Sequence, residues 1–436
     1  MKFGTDGVRT RVGTGACQPN EAKNLGSALA LYLASKGLSP IILVCRDTRL
    51  SGSLLAHSAL VGMVSQGTDV IDGGVCPTPC AALWGARLSV SCVLMITASH
   101  NPYTDNGYKL IWPGGRKFSS CEQQELLSYL SDDHDIDYQK LGQVREAGIS
   151  LPDFLKETYS SYTSDARIVL DCAHGAYSQL ADRVLRDIGC EVISVASEPN
   201  GLNINEGVGS TAPEFLVSQV RDFGADMGFA FDGDGDRLLV VTQSGTIYTG
   251  DDILWLMLLW SSKRTQERNC VVTIMSHQGF IDACHDRGIH TSCVSVGDHH
   301  VSSELMRLGA RFGGEPSGHV IDMDHCLMCD GLYMAVSVLR ASSELGIHLD
   351  DLRLVRTTEQ QERSCRFDEH QRSRVLDMLS QFVLPKFCEG YRCVVRASGT
   401  EPLIRILLEG QQNVGACADM LREHLQSRLS ELDLAG

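Results

Sequence analysis

The segment Asp232-Gly-Asp-Gly-Asp-Arg237 has the residue types and spacing best suited to chemistry. Its three carboxylates alternate with glycines, so the acids can converge on one hard cation such as Mg²⁺ or Ca²⁺. An EF-hand loop begins in the same way, but it requires glycine and glutamate where Arg237 and Gln243 stand here. A polar turn is the alternative, although three neighbouring carboxylates would repel one another without a cation. We therefore predict a divalent-metal site at Asp232, Asp234 and Asp236.

A second segment, Arg396-Ala-Ser-Gly-Thr-Glu-Pro402, has the composition of a phosphate site. The guanidinium of Arg396 offers two parallel donors to a phosphate. Ser398, Gly399 and Thr400 add hydroxyls and closely spaced backbone N–H groups, which together form an anion-binding nest. A solvated hairpin loop is the alternative, and the arginine favours phosphate binding over it.

A third segment, Gly313-Gly-Glu-Pro-Ser-Gly-His319, combines an acid, a hydroxyl and a histidine. Glu315 and Ser317 could bind sugar hydroxyls, and His319 could transfer a proton or contact a phosphate. A structural loop explains the segment equally well, if the histidine only forms hydrogen bonds within the protein.

The fourth segment, Ile96-Thr-Ala-Ser-His-Asn-Pro102, follows an apolar run, where α/β proteins place their chemistry. This position leaves three roles open for Ser99: a nucleophile, a phosphate-binding residue or a strand-to-helix cap. A serine hydrolase is disfavoured, because no G-x-S-x-G motif surrounds Ser99 and the adjacent His100 would point away from it.

Short apolar runs that end in polar loops indicate the strands that position these segments. The runs cover residues 41–45, 93–96, 168–171, 227–231 and 271–274, and we expect helices at residues 21–37 and 53–66. The alternation of strand, loop and helix is typical of parallel sheets built from βαβ units. The last seventy or so residues differ: runs at 391–395 and 403–408 predict an antiparallel hairpin, followed by an amphipathic helix around Leu421 and Leu425.

Length and composition restrict the class of protein. The chain has 436 residues, a length that by itself suggests roughly three domains, and its net charge of −16 argues against a nucleic-acid partner. The N-terminus has no apolar signal region, and the longest apolar run, residues 253–260, is too short to span a membrane. We therefore expect a soluble, cytoplasmic protein whose 17 cysteines are reduced thiols. Cys326 and Cys329 have CxxC spacing, but no second pair supports a zinc site.

Five segments occur in an order that resembles the α-D-phosphohexomutase superfamily: Phe3-Gly-Thr-Asp-Gly-Val-Arg9, Thr97-Ala-Ser-His-Asn-Pro102, Asp232-Gly-Asp-Gly-Asp-Arg237, Gly314-Glu-Pro-Ser-Gly-His319 and Arg396-Ala-Ser-Gly-Thr-Glu-Pro402. The resemblance implies a four-domain α/β architecture, in which three related α/β domains and a C-terminal α+β domain surround a central cleft. We expect these domains at residues 1–152, 153–251, 252–363 and 364–436. They would carry, in turn, a phosphoserine loop, a metal loop, a sugar-binding loop and a phosphate-binding loop.

The resemblance also implies a role for individual residues. Ser99 would carry a phosphoryl group and, with the three aspartates, bind Mg²⁺. Lys109 would transfer protons, with His100, Arg9 and Arg237 as further catalytic groups. The remaining roles are sugar binding by Glu315, Ser317, His319, Asp298 and His299, and phosphate binding by Arg396, Ser398, Gly399, Thr400 and Arg405.

The implied reaction is the interconversion of a 6-phosphosugar and a 1-phosphosugar through a 1,6-bisphosphate that turns end for end. The motif at the very start of the chain and the compact length most resemble the branch acting on glucosamine phosphate, which would supply UDP-N-acetylglucosamine and cell-wall synthesis. The same mechanism on glucose or mannose phosphates is the alternative, and a non-catalytic phosphosugar-binding regulator is less favoured. His299 and Pro316 depart from the glucosamine-type pattern, so the sugar preference stays open. Dimers occur among relatives, which makes a homodimer an expectation.

Overall fold

The computed structural model describes the whole chain except Lys2, Thr5, Asp6, Asp132, Asp133, Ser160, Ser161, Arg264, Gln266 and residues 353–357, 399–401 and 435–436. Within the described residues the chain forms four successive β-sheets, each covered by helices. The predicted fold, three α/β domains followed by an α+β domain, is confirmed. The exact domain boundaries stay a prediction.

The first sheet has parallel strands at its centre and an antiparallel edge. Its elements are β1 (Val8–Arg11), α1 (Pro19–Ser35), β2 (Ile41–Arg46), α2 (Leu50–Ser65), β3 (Asp69–Val75), α3 (Thr78–Arg87), β4 (Cys92–Ile96), β5 (Asp105–Ile111), α4 (Ser120–Leu127) and β6 (Val144–Arg145). The strand order is β1-β5-β4-β2-β3-β6, and β5 pairs antiparallel with both β4 and β1. Helices α1 and α2 bury their apolar side chains against one face of the sheet.

The second and third sheets repeat this plan. The second contains α5 (Leu151–Tyr159), β7 (Arg167–Asp171), α6 (Ala181–Asp187), β8 (Glu191–Val195), α7 (Pro213–Phe223), β9 (Met227–Phe231), β10 (Leu238–Thr242) and β11 (Ile247–Tyr248), ordered β11-β10-β9-β7-β8. The third contains α8 (Gly250–Ser262), β12 (Asn269–Thr273), α9 (Gln278–Asp286), β13 (His290–Val294), α10 (Asp298–Leu308), β14 (Phe312–Gly314), β15 (Val320–Asp322) and α11 (Gly331–Leu345), ordered β13-β12-β14-β15.

The fourth sheet is antiparallel throughout. It consists of β16 (Glu359–Arg366), β17 (Arg392–Ala397) and β18 (Leu403–Gly410) in the order β16-β18-β17, with α12 (Arg372–Ser380) and α13 (Val414–Leu434). The predicted hairpin and the following amphipathic helix are thereby confirmed as β17, β18 and α13. Leu421 and Leu425 of α13 are fully buried against this sheet.

Each of the four loops that carry the predicted site segments joins two neighbouring antiparallel strands. They lie between β4 and β5, β9 and β10, β14 and β15, and β17 and β18. The expected alternation of strand, loop and helix does not hold after residues 93–96 and 227–231, because a second strand returns directly along the first; after residues 227–231 this is the turn given above as the alternative. Ser99 is accordingly not a strand-to-helix cap. A hairpin loop leaves its side chains at the end of the sheet, where loops from other sheets can meet them.

One hydrophobic core runs through the first three sheets. It joins Met95 of β4, Phe229 of β9 and Phe312 of β14 in a single cluster of buried side chains. The fourth sheet has a separate core, formed with α13. Its junction with the third sheet is polar: Arg392 donates to the backbone oxygens of Ile274 and Ser276, each at 2.7 Å, and to the buried carboxylate of Glu409 at 2.7 Å.

Among the described residues, none of the helices combines the length and apolar character needed to cross a membrane.

Candidate active site

The hairpin between β9 and β10 gathers three buried carboxylates. Asp232, Asp234 and Asp236 each contribute an oxygen atom to a group whose members lie within 4.8 Å of one another. All three side chains are at most 1% exposed. Gly235 has φ +78°, and a Cβ there would lie 2.3 Å from the ring of Tyr177, so the turn requires glycine.

The donor set fits a divalent cation. The Oδ1 atom of Asp234 is buried and has no hydrogen-bond partner in the described part of the chain. Burial, followed by the charges of Asp236 and Asp234, raises the pKa of Asp232 to about 7. A hard cation among these oxygens would satisfy the orphaned atom and stabilise the charged forms of all three acids.

Ser99 lies directly against this metal loop. Its Oγ donates a hydrogen bond of 2.7 Å to Oδ2 of Asp232, although the two residues are 133 positions apart. The serine is 1% exposed and adopts a left-handed conformation with φ +52°, which is unusual for a residue with a side chain. The structure therefore brings the predicted phosphoserine loop and the predicted metal loop together.

Lys109 of β5 bonds to the two carboxylates of the triad that Ser99 does not contact. Its ammonium, in a side chain that is 2% exposed, donates to Oδ2 of Asp234 at 2.7 Å and to Oδ2 of Asp236 at 2.8 Å. Thr78 also donates to Oδ2 of Asp234. Although burial acts in the opposite direction, Lys109 and then His319 hold the pKa of Asp236 well below its usual range. Lys109 is therefore placed to balance the negative charge of the triad.

His100 is held neutral beside Ser99. Its Nδ1 lies 3.4 Å from the serine Oγ. The charge of Arg237, burial and the charge of Arg9 lower the pKa of His100 to about 2. Arg237 itself places Nε 3.9 Å from Asp232, and Arg9 of β1 donates to the side chain of Asn101 at 3.4 Å. His100 and Arg237 thus lie beside the serine and the triad, and Arg9 contacts the serine loop through Asn101.

The hairpin between β14 and β15 reaches the same triad. Nε2 of His319 lies 3.0 Å from Asp236 and its Nδ1 lies 2.9 Å from Glu315, which is itself 5% exposed. Burial opposes protonation, but Asp236 and Glu315 raise the pKa of His319 to about 10. The Ser317 hydroxyl lies 3.3 Å from Nδ1 of the same imidazole. His319 therefore links the predicted sugar loop to the metal loop, and its two acidic neighbours favour the protonated imidazole.

Asp298 and His299 begin helix α10, beside that hairpin. Asp298 is bonded to Lys117 of the first domain, with Nζ 2.8 Å and 2.6 Å from its two oxygens. The rings of His299 and His300 lie 3.9 Å apart. Glu315 accepts a bond of 2.9 Å from the backbone nitrogen of Gly297, so this segment and the predicted sugar loop are joined. Asp298 therefore connects two domains, a contact that sequence reasoning did not anticipate.

The predicted phosphate loop is described in part. Arg396 of β17 stands opposite Arg405 of β18 in the strand register. Burial and the neighbouring Arg405 guanidinium lower the pKa of Arg396, whose Nε has no hydrogen-bond partner within the described residues. Two adjacent guanidinium groups would be stabilised by an anion between them. Ser398 is buried nearby, while Gly399 and Thr400 lie outside the described residues.

Sequence reasoning missed residues that hold the site together from a distance. Arg49, Asn205, Thr78 and Lys117 each bond to one of the predicted site residues or to its loop. The polar run Arg46-Asp-Thr-Arg49 at the end of β2 was the available signal, since polar residues at a strand end lie close to the chemistry.

The chain matches known proteins over nearly its full length. Four family profiles cover it in order: "Phosphoglucomutase/phosphomannomutase, alpha/beta/alpha domain I" over residues 1–135, domain II over 152–245, domain III over 249–357 and the C-terminal domain over 372–424. The four-domain fold and these matches define an α-D-phosphohexomutase. This chain belongs to the phosphoglucomutase/phosphomannomutase family. The family and the enzyme class predicted from the motifs are thereby confirmed.

Two similar curated proteins carry the same name. A phosphoglucosamine mutase of Geobacillus thermodenitrificans is 36% identical, covering 97% of this chain and 98% of the relative. A phosphoglucosamine mutase of Janthinobacterium is 33% identical, covering 98% and 99%. Among solved structures, a phosphoglucomutase/phosphomannomutase family protein of Burkholderia thailandensis has a TM-score of 0.81 at 23% identity, covering 98% of this chain and 97% of its own.

Proposed function

We propose that this enzyme interconverts glucosamine 6-phosphate and glucosamine 1-phosphate. The observation that carries the proposal is the 2.7 Å bond between Ser99 and Asp232 inside a buried acidic triad. A serine hydroxyl held on a metal loop is suited to accept and return a phosphoryl group. The choice of glucosamine rests on the curated relatives, which share 33–36% identity over 97–98% of the chain.

Mg²⁺ is the proposed cation, and Asp232, Asp234, Asp236 and the Ser99 phosphate would hold it. When bound, the cation would neutralise charge on the transferring phosphoryl group. The small hard ion suits a site with three carboxylates and a phosphate, because Mg²⁺ prefers oxygen ligands in nearly octahedral geometry.

The reaction would proceed in two transfers. The phosphorylated Ser99 would give its phosphoryl group to the free hydroxyl of the 6-phosphosugar, which yields the 1,6-bisphosphate and the free serine. After the bisphosphate turns, its other phosphate would return to Ser99 and the 1-phosphosugar would leave. Lys109 is the proposed group for proton transfer, because its ammonium lies within the same polar cluster as Ser99. His100, with a pKa of about 2, would act as a neutral hydrogen-bond partner.

Substrate binding would use the other two loops. Glu315, Ser317 and His319 would position the sugar ring, with Asp298 and His299 beside them. The phosphate that is not reacting would be held by the guanidinium groups of Arg396 and Arg405 together with Ser398, Gly399 and Thr400. A cytoplasmic location and a homodimer stay predictions.

The test is ³¹P NMR of the full chain with Mg²⁺ and a trace of sugar bisphosphate. Parallel samples contain glucosamine 6-phosphate, glucose 6-phosphate or mannose 6-phosphate. We expect the 1-phosphate signal to grow fastest from the glucosamine sample and to be absent with Ser99→Ala. Faster turnover of glucose or mannose phosphate would reject glucosamine as substrate, and activity of Ser99→Ala would reject the phosphoserine mechanism.

A further inference from the structure

A buried arginine donates hydrogen bonds to four backbone oxygens in the Ser99 loop and at the start of β5. Arg49 lies between β2 and α2, with its side chain fully buried. Its Nη2 donates to the backbone oxygens of Ser99 at 2.9 Å and Asn101 at 2.8 Å. Its Nη1 donates to the backbone oxygens of Asp105, at 2.9 Å, and Pro102.

The fifth donor of this guanidinium anchors it to the first sheet. Nε of Arg49 donates to Oδ2 of Asp47 at 2.9 Å. A guanidinium has five N–H donors, so each one is used, four of them on the Ser99 loop. Asp47 also accepts a bond of 2.6 Å from Thr97, whose hydroxyl in turn accepts the backbone N–H of Ser99 at 2.8 Å. The loop is thus held at several of its carbonyl groups and at the backbone amide of Ser99.

A residue of the second domain bonds to the same carbonyl groups. Nδ2 of Asn205 donates to the backbone oxygens of Ser99 at 2.9 Å and Asn101 at 3.1 Å. The metal loop adjoins this contact, because a Cβ added to Gly233 would lie 2.7 Å from the Ser99 oxygen and 3.0 Å from Nδ2 of Asn205. The Ser99 carbonyl is therefore fixed between the first domain, the second domain and the metal loop.

We propose that Arg49 and Asn205 are positioning residues that hold Ser99 in its left-handed conformation, with its Oγ directed at the metal loop. The inference rests on the proposed phosphoserine mechanism. A left-handed residue with a side chain persists only where its surroundings impose that conformation. Six hydrogen bonds from the two side chains to the loop carbonyls supply that restraint. Neither residue needs to touch the substrate.

The first test is Arg49→Lys in the full-length enzyme. An ammonium keeps the charge but cannot reach four carbonyl groups along the loop, since its three donors radiate from one atom. A displacement of about 1 Å at a reacting group can cost about 100-fold in rate, so we expect kcat to fall about 10- to 100-fold while KM changes less than about threefold. Arg46→Lys is the matched control, because Arg46 ends the same strand but bonds to Asp72.

Asn205→Ala provides a second test that leaves the buried arginine in place. We expect a smaller fall in kcat and again an unchanged KM. Asn203→Ala is its control, because Asn203 lies two positions away and donates to the backbone oxygen of Glu198. The ³¹P resonance of phosphorylated Ser99 should shift or broaden in both test variants and stay unchanged in both controls.

The outcomes separate this inference from the proposed function. If the wild-type enzyme is active and both test variants keep the wild-type kcat and ³¹P resonance, the positioning role is refuted. A lower melting temperature with unchanged kcat below it would also refute the role, because it would show that the bonds contribute to stability only. If the wild-type enzyme forms no phosphoserine and converts none of the three sugars, the proposed function fails first.

Discussion

Gly233→Ala is the smallest change that should separate Ser99 from the metal loop. The new Cβ would lie 2.7 Å from the backbone oxygen of Ser99 and 2.7 Å from Cδ1 of Ile204. The isoleucine methyl is the end of a flexible side chain and can move away. The Ser99 oxygen is backbone, and Arg49 and Asn205 both hold it, so the metal loop or the serine loop must shift instead.

The size of the effect follows from this contact. An ordinary carbon–oxygen contact is about 3.3 Å or longer, so the two loops must separate by about 0.6 Å. Since about 1 Å of misplacement costs about 100-fold in rate, we expect kcat to fall about tenfold. Adding a methyl group to a packed site costs about 1–3 kcal/mol in the free energy of unfolding, which leaves a folded enzyme.

The assay is the steady-state rate of 1-phosphate formation, measured with thermal unfolding on the same samples. Gly148→Ala is the matched control, because a Cβ at Gly148 would lie within 4 Å of no described residue beyond its two chain neighbours. The control should keep its kcat. A Gly233→Ala enzyme that is folded and turns over at the wild-type rate would refute the claim that the distance between the two loops limits the reaction.

Three further predictions concern the metal loop, the last domain and acid stability. Asp234→Asn should remove most activity and weaken divalent-cation binding in calorimetry, because one ligand loses its charge; near-normal turnover with Mg²⁺ would contradict the metal assignment. Arg392→Met should lower the free energy of unfolding by about 2 kcal/mol and raise KM, because it leaves the buried carboxylate of Glu409 without its cation at the junction that supports the phosphate loop; an unchanged melting curve and KM would exclude this role. Glu122→Gln should lower the free energy of unfolding by about 1 kcal/mol at pH 7. Partial burial acts in the opposite direction, but hydrogen bonds from Arg116 and then Ser119 lower the pKa of Glu122 to about 2. That contribution is present above about pH 4.5 and is lost as the pH falls towards 2. The unfolding free energies of wild type and variant should therefore converge in acid. A difference that persists at pH 2 would contradict this role of Glu122.

The local motifs were readable from the sequence because their chemistry lies within a few residues. The carboxylates of Asp232, Asp234 and Asp236 are spaced so that one hairpin turn brings them together. The same reasoning identified Ser99 and His319 as polar residues in loops at strand ends. Contacts within a single loop depend on backbone geometry that a short segment fixes by itself.

Strand direction and long-range pairing could not be predicted in this way. The run before Ser99 has the same composition whether the chain goes on to a helix or returns as a strand, so the hairpin of β4 and β5 was not predicted, whereas that of β17 and β18 was. Lys117 pairs with Asp298 over 181 positions, and only the arrangement of the domains brings them together. Arg49 shows the same limit, since its four carbonyl partners carry no side-chain signal in the sequence.

The continuous core of the first three sheets has a consequence for exchanging parts between relatives. Side chains of those three sheets pack in one shared cluster. A chimera that replaces one sheet must therefore supply side chains whose shapes pack against the other two. The fourth sheet encloses its own core with α13 and meets the third sheet through polar contacts such as those of Arg392. A transplanted C-terminal module therefore needs mainly to preserve the polar contacts of this junction, which in the described residues include those of Arg392, Gln278 and Gln360, and this makes it the natural unit for grafting a different phosphate-binding loop onto this scaffold.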